Sequence, residues 1–182
     1  MKIYHGIREN YKPYVTVQEE GNPEIKNLKH FVKHNPVSMD WGNGGAGAAD
    51  LAWSLLIDVY GTDTVDFVEF IYQRFKREVV VDLPQGDWTM TSAQVKEAVD
   101  QYKKVFDEEY TQAVTINSKF KNGLVLSATG SVDVLIKLSD EIRALASQTG
   151  EDLTNTNLGG LYYGILQHCE SMKQRVLDKI EN

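Results

Sequence analysis

The clearest pattern in the chain is a helical apolar period between Ala48 and Val59. Ala48, Leu51, Ala52, Leu55, Leu56 and Val59 share one stripe, Trp53 and Ile57 widen it, and Gly61 supplies a stop. This pattern predicts the most buried helix of the protein. A second helix is expected next, capped by Thr62 or Asp63, with Val65, Val68, Ile71, Tyr72, Phe75 and Val79 facing inward. Upstream, Ile25, Leu28 and Val32 also recur at helical spacing within residues 24–35, and Asn35-Pro36 closes that segment. Before it the period changes to two. Residues 2–20 read as a β-hairpin whose second strand puts Val15 and Val17 on one face and Tyr14, Thr16 and Gln18 on the other. A lone hairpin is marginal in water, so it must pack on a helix or a third strand.

The stretch "VDLPQGDW" reads as a turn region around Pro84 and Gly86. Thr91 and Gln94 then have the spacing of a capping box, opening a predicted helix from about Ser92 to Ala113 with Val95, Val99, Tyr102, Val105 and Phe106 as its stripe. Asn122-Gly123 is the clearest break in the second half. It sets the expected division into an α+β glycine-loop domain, 1–122, and a helical extension, 123–182. From Ala128 onward two helices are predicted. Val132, Leu135, Ile136, Ile142 and Leu145 line the first; Leu158, Leu161, Tyr162, Ile165, Leu166, Cys169, Met172, Val176, Leu177 and Ile180 mark the second. A helical hairpin, or exchange of helices between subunits, would bury so long a stripe. Gly159, Gly160 and Gly164 leave room for another helix, and the expectation is a homo-oligomer formed through the C-terminal helices. The predicted fold class is α+β: an N-terminal β-hairpin or small antiparallel sheet packed on helices, followed by the helical extension.

Composition narrows the function classes. Of 182 residues, 42% are hydrophobic and 25% charged, the profile of a water-soluble globular protein. The net charge of −7 argues against binding duplex nucleic acid, which draws affinity from an excess of lysine and arginine. No apolar run approaches the ~20 residues of a membrane span. The opening "MKIYHGIREN" does not read as a signal peptide, and the expected compartment is the cytoplasm. Cys169 is the single cysteine, which excludes an intrachain disulfide and a thiolate zinc cluster.

The candidate chemistry centres on "WGNGGAG", residues 41–47, running into the first helix. A glycine-rich loop at a helix N-terminus can bind an anion through unsatisfied backbone N–H groups and the helix dipole. It can equally be a tight turn packed under Trp41, and both readings stay open. The loop lacks the lysine and hydroxyl residue of a P-loop. Asp50, close to the helix start, would compete with a phosphate for the free N–H groups. Lys26, Lys29, His30, Lys33 and His34 could fold over the loop. His30 and His34 have the spacing of two metal ligands, but no third ligand is identifiable and no metal site is expected. No catalytic residue is nominated either, since no nucleophile elbow, Cys/His pair or HExxH motif occurs. Trp53 and Phe75 are expected in the core; among Trp41, Trp53, Trp88, Tyr4, Tyr11 and Tyr14, the rings of Trp41 and Tyr4 are the candidates for stacking on a base.

Tyr4, Gly6 and Arg8, "WGNGGAG" at 41–47 with "LAWSLL" at 51–56, "FKREVV" at 75–80, "LP" at 83–84 and "WTMT" at 88–91 follow one another in an order that resembles a small domain family of unknown function from bacteria and their phages. The resemblance covers about the first 100 residues. Where that family often has Gly-Pro-Ala-Gln at the helix opening, this chain has Gly47-Ala48-Ala49-Asp50. The resemblance implies a bacterial or phage setting and a fold of hairpin and packed helices; it carries no activity. Together with the loop it leads to the expected function: non-catalytic binding of a small anionic ligand of nucleotide type, needing no cofactor, by Tyr4, Arg8, Trp41, Gly42, Asn43, Gly44, Gly45, Gly47 and Lys76. In a phage such a protein would sequester a host defence signal. The alternative is a protein-binding inhibitor or adaptor acting through the helical surface.

Overall fold

A computed structural model describes residues 1–10, 12–110, 112–119, 125–154 and 156–181. Tyr11, in the predicted hairpin turn, and the predicted break and domain boundary at Asn122-Gly123 lie outside the described residues. By its contacts the chain divides into Met1–Lys103 and Lys104–Asn182. It is an α+β protein with a helical C-terminal part, and among the described residues no helix is long and apolar enough to cross a membrane.

In the first unit, β1 (Lys2–Glu9) and β2 (Lys12–Glu19) form the predicted antiparallel hairpin, with Tyr4 opposite Val17 and Gly6 opposite Val15. Two short strands extend it, β3 (Ile25–Asn27) on β2 and β4 (Trp88–Thr91) on β1, giving the order β3-β2-β1-β4. Both are corrections to the sequence reading. Residues 24–35 form no helix: three exposed strand residues give way to irregular chain, whose backbone N–H groups are claimed by side chains of the first helix rather than by i−4 carbonyls. The segment read as a turn up to Trp88 leads into β4, where Trp88 and Met90 sit opposite Gly6 and Tyr4. Period two therefore gathers Tyr4, Gly6, Val15, Val17, Trp88 and Met90 on one face of the sheet.

Helix α1 (Ala46–Tyr60) is buried from Gly47 through Ile57, and Gly61 ends it at φ +93°. A 3₁₀ turn (Thr62–Thr64) follows, so that Thr64, not Thr62 or Asp63, precedes α2 (Val65–Phe75), and no side chain caps that helix. Val65, expected inside, is exposed in its first turn. The end of α2 passes into a π turn, Lys76–Val80. Because a π turn spaces its residues by five, Val80 rather than Val79 succeeds Phe75 in the core. At the start of α3 (Ser92–Tyr110) the capping box is formed: the Thr91 and Gln94 backbone N–H groups donate to Gln94 Oε1 at 2.9 Å and Thr91 Oγ1 at 3.2 Å.

The second unit contains a hairpin that the sequence reading missed. Instead of a helix continuing to Ala113 and another beginning near Ala128, β5 (Val114–Lys119) pairs with β6 (Val125–Gly130). Then α4 (Val132–Thr149) ends at Gly150, φ +70°, and α5 (Asn157–Glu181) packs back on it. The long stripe of α5 is buried at Leu161, Ile165, Cys169, Met172, Val176 and Ile180, and α4 supplies Val132, Leu135, Ile142 and Ala146. Two glycines of α5, Gly159 and Gly164, are used within this unit. A Cβ at Gly159 would lie 1.6 Å from the Leu153 carbonyl oxygen, and one at Gly164 would touch Ile116 at 3.5 Å.

Candidate functional site

The inward face of β1 carries the motif Tyr-x-Gly-x-Arg, and each member meets a different need. The Tyr4 hydroxyl donates to Asp58 Oδ2 at 2.7 Å, and Lys2 Nζ reaches the same oxygen at 3.0 Å. Burial, reinforced by the hydrogen bond to Asp58 and the charge of that carboxylate, pushes the Tyr4 phenol well above its ordinary pKa. Gly6 leaves space for an indole: a Cβ there would stand 2.1 Å from Trp88 Nε1. Arg8 Nη2 donates to Asp40 Oδ1 at 2.7 Å, and the guanidinium lies over the Trp41 ring, 4.7 Å from its centroid. Trp41 meets Trp88 edge to face at 5.7 Å and donates from Nε1 to the Gly86 carbonyl at 3.0 Å. The rings of Trp41 and Tyr4 are wholly enclosed. This corrects the stacking expectation, because a large flat apolar ring with a satisfied polar tip is worth more in the core than on the surface, and neither ring is open to a base.

The glycine loop continues from this cluster. Asp40 Oδ2 accepts from Asn43 Nδ2 at 2.9 Å, and Asn43 Oδ1 accepts from the Gly45 backbone N–H at 2.9 Å. Burial works against the Asp40 charge, but hydrogen bonds from the Trp41 backbone, Arg8 and Asn43 hold its pKa below the usual carboxylate range. Gly42 adopts φ +69°; its N–H bonds to the Val80 carbonyl at 3.0 Å, and a Cβ would strike Gln85 Nε2 at 2.5 Å. Gly47 lies against Asp40 and Ser38, and a Cβ there would stand 2.9 Å from the Asp40 Cβ. The fold thus needs glycine at 42 and 47. Gly44 differs, with open space for 4 Å around its Cβ direction and no positive φ. Gly45 precedes α1 with no side-chain cap, and no acidic residue occupies the first turn. Lys76 reaches this end of the helix, its ammonium 3.4 Å from the Gly44 carbonyl oxygen.

Asp50 does not compete for the helix N-terminus as expected. It stands one turn further in, fully buried, and its carboxylate turns toward the irregular chain before the loop. It accepts from the backbone N–H groups of Lys33 (3.3 Å), His34 (2.8 Å) and Asn35 (3.0 Å), and pairs with His30 Nε2 at 3.0 Å. Burial opposes its ionisation, yet these partners lower its pKa overall. Of the basic residues upstream, Lys33 pairs with Glu69 and covers the Trp53 ring, Lys26 pairs with Glu24, and Lys29 lies over Phe31. His34 meets the Tyr72 hydroxyl at 3.1 Å, so the two histidines diverge to separate partners. No cluster of three metal-type ligands occurs among the described residues.

Sequence reasoning overlooked Asp58 and Asp40 as organisers. The available signal was the alternation in β1, which puts Lys2, Tyr4 and Arg8 on one face and so demands carboxylate partners there. The comparisons with known proteins cover the same half of the chain. No curated protein and no solved structure matches significantly. A family model matches residues 4–101, a span that takes in β1, the glycine loop, the π turn and the capping box. The chain belongs to that family, a family of unknown function designated DUF6166.

Proposed function

We propose that this protein binds a small phosphate-bearing ligand at the N-terminus of α1 without transforming it. The observation that supports the reading is Gly44. It is exposed, unstrained and uncrowded, and it leads into an uncapped helix start beside the Lys76 ammonium. Backbone N–H groups, helix dipole and one cation suit a phosphate. The buried rings of Tyr4 and Trp41 and the paired Arg8 support the loop from beneath and contact no ligand in this reading. A nucleotide would be held by its phosphates, and in a phage setting such binding would withdraw a host defence signal from circulation.

The test is mass spectrometry of small molecules released on denaturing the purified protein, with Gly44→Val and Lys76→Ala prepared in parallel. A nucleotide at near-equal molar amount that is lost in both folded variants is the expected result. An empty parent protein, or full occupancy in the variants, refutes it.

A second reading rests on a separate observation. Val134 and Leu145 on α4, and Tyr163 and Leu166 on α5, are exposed, although the other faces of these helices form the core of the second unit. They support a protein contact, with a further copy of this chain or with a target to be inhibited. Val134→Asp with Leu145→Asp should then disrupt a complex or oligomer seen by light scattering; an unchanged mass, with no partner lost, sinks this reading.

A further inference from the structure

Helix α5 has a second face that its apolar stripe does not explain. Gly164, Gln167, His168 and Ser171 recur there at helical spacing and, with Thr115 and Ile116 of β5, line an open cavity of about 360 Å³. That is enough for a small organic ligand, for which pockets start at roughly 300 Å³. The lining carries hydroxyl, amide and imidazole groups around one apolar side chain, and no carboxylate, lysine or arginine. Gly164 keeps the cavity open, since any longer side chain there would project beside Ile116. His168 Nε2 is buried and has no hydrogen-bond partner among the described residues. A buried polar atom left unpaired is costly and uncommon, and it points to a group still to be bound.

We propose that this cavity binds an uncharged heterocycle with adjacent donor and acceptor atoms, the edge pattern of a nucleobase. The Gln167 amide offers the matching acceptor and donor; Ser171 Oγ, which donates to the Gln167 carbonyl at 2.9 Å, and Thr115 Oγ1, bonded to Thr129 Oγ1 at 2.8 Å, keep lone pairs to accept; and Ile116 offers an apolar surface for the flat ring. His168 turns about its two-fold χ2 torsion to present Nε2 to the ligand. The site belongs wholly to the second unit and is independent of the glycine loop.

The experiment is a titration of the full chain, with ¹⁵N-labelled histidine, by adenosine, guanosine, cytidine and uridine in turn. His168 is distinguished from His5, His30 and His34 by the loss of its signals in His168→Gln. At least one nucleoside should shift the His168 imidazole signals saturably, and Gly164→Leu should weaken that binding at least tenfold with its circular dichroism unchanged. Ser171→Val, at an exposed position, provides the second test and should also weaken binding. Silence from all four nucleosides overturns the proposal. So does a shift that survives both folded variants, or a crystal structure in which a water alone pairs with Nε2 at saturating nucleoside.

Discussion

Replacing Gly6 by alanine should be among the most damaging single-methyl changes in the first unit. The added Cβ would lie 2.1 Å from Trp88 Nε1 and 2.2 Å from Cε2. To restore ordinary contact, near 3.4 Å, the indole must retreat by roughly 1.3 Å. Trp88 is 6% exposed and abuts Trp41, which is itself wedged beneath Arg8, so any retreat disturbs that pair. Overpacking of this kind costs about 1–3 kcal/mol, and loosening the edge-to-face tryptophan pair adds about 1 kcal/mol. For a chain of this length each kcal/mol lowers Tm by about 2–4 °C, so the expected fall is on the order of 5–15 °C. Thermal unfolding followed by circular dichroism measures it, and tryptophan fluorescence reports the displaced indole. The decisive comparison is the double-mutant cycle. In a Trp88→Leu background the obstructing atoms are gone, and Gly6→Ala should become neutral or gain up to about 1 kcal/mol from reduced backbone entropy in the unfolded chain. If the two substitutions simply add, or if Gly6→Ala alone leaves Tm unchanged, the close approach of Gly6 to Trp88 is not what this position serves.

Gly42→Ala, at φ +69° and against Gln85, should cost about 1–3 kcal/mol, whereas Gly44→Ala should stay within about 0.5 kcal/mol of the parent in urea unfolding; equal losses would contradict the division of roles within the loop. Asp50→Ala removes one acceptor from three backbone N–H groups and His30, and a loss of about 3–5 kcal/mol is expected. Hydrogen exchange at residues 33–35 should accelerate selectively, and uniform acceleration would count against a local role. Asp40 and Asp50 both have lowered pKa values in the folded state. The stability they contribute is therefore complete above the unfolded carboxylate pKa of about 4 and is lost as pH falls through the folded values. Asp40→Asn should accordingly flatten the acid side of the stability–pH curve while leaving its neutral limb level; an unchanged acid slope would show that the Arg8 pair is not linked to folding.

Where a residue's role depends on its neighbours in the chain, the sequence was readable. The apolar period of α1, its glycine stop and the Thr91–Gln94 capping box are local signals and appear as expected. The strands β3 and β4 were not readable, because three or four residues carry too little alternation to register, and the partner of β4 lies more than 80 residues away along the chain. The helical spacing of Ile25, Leu28 and Val32 misled for a related reason: buried Asp50, fifteen and more residues later, draws the intervening N–H groups to itself. At the candidate site, the loop's place before α1 followed from position, whereas Lys76 stood out only as a charge within a motif of the resemblance, and its approach to Gly44 comes from the fold. That Trp41 and Tyr4 turn inward did not, since a tryptophan beside a glycine run has the same local sequence whether it is buried or exposed.

The π turn at Lys76–Val80 amounts to a single extra residue spliced into the end of α2. Its effect is rotational. Every residue after the splice is turned by about 100° relative to a regular helix, and this phase brings the Val80 carbonyl to the Gly42 N–H, while Lys76, which opens the turn, reaches the Gly44 carbonyl. Removing one residue from this turn would yield a straighter helix and, at the same time, sever the mooring of Gly42 to Val80. An irregularity one residue long therefore holds one side of the glycine loop in register with the core.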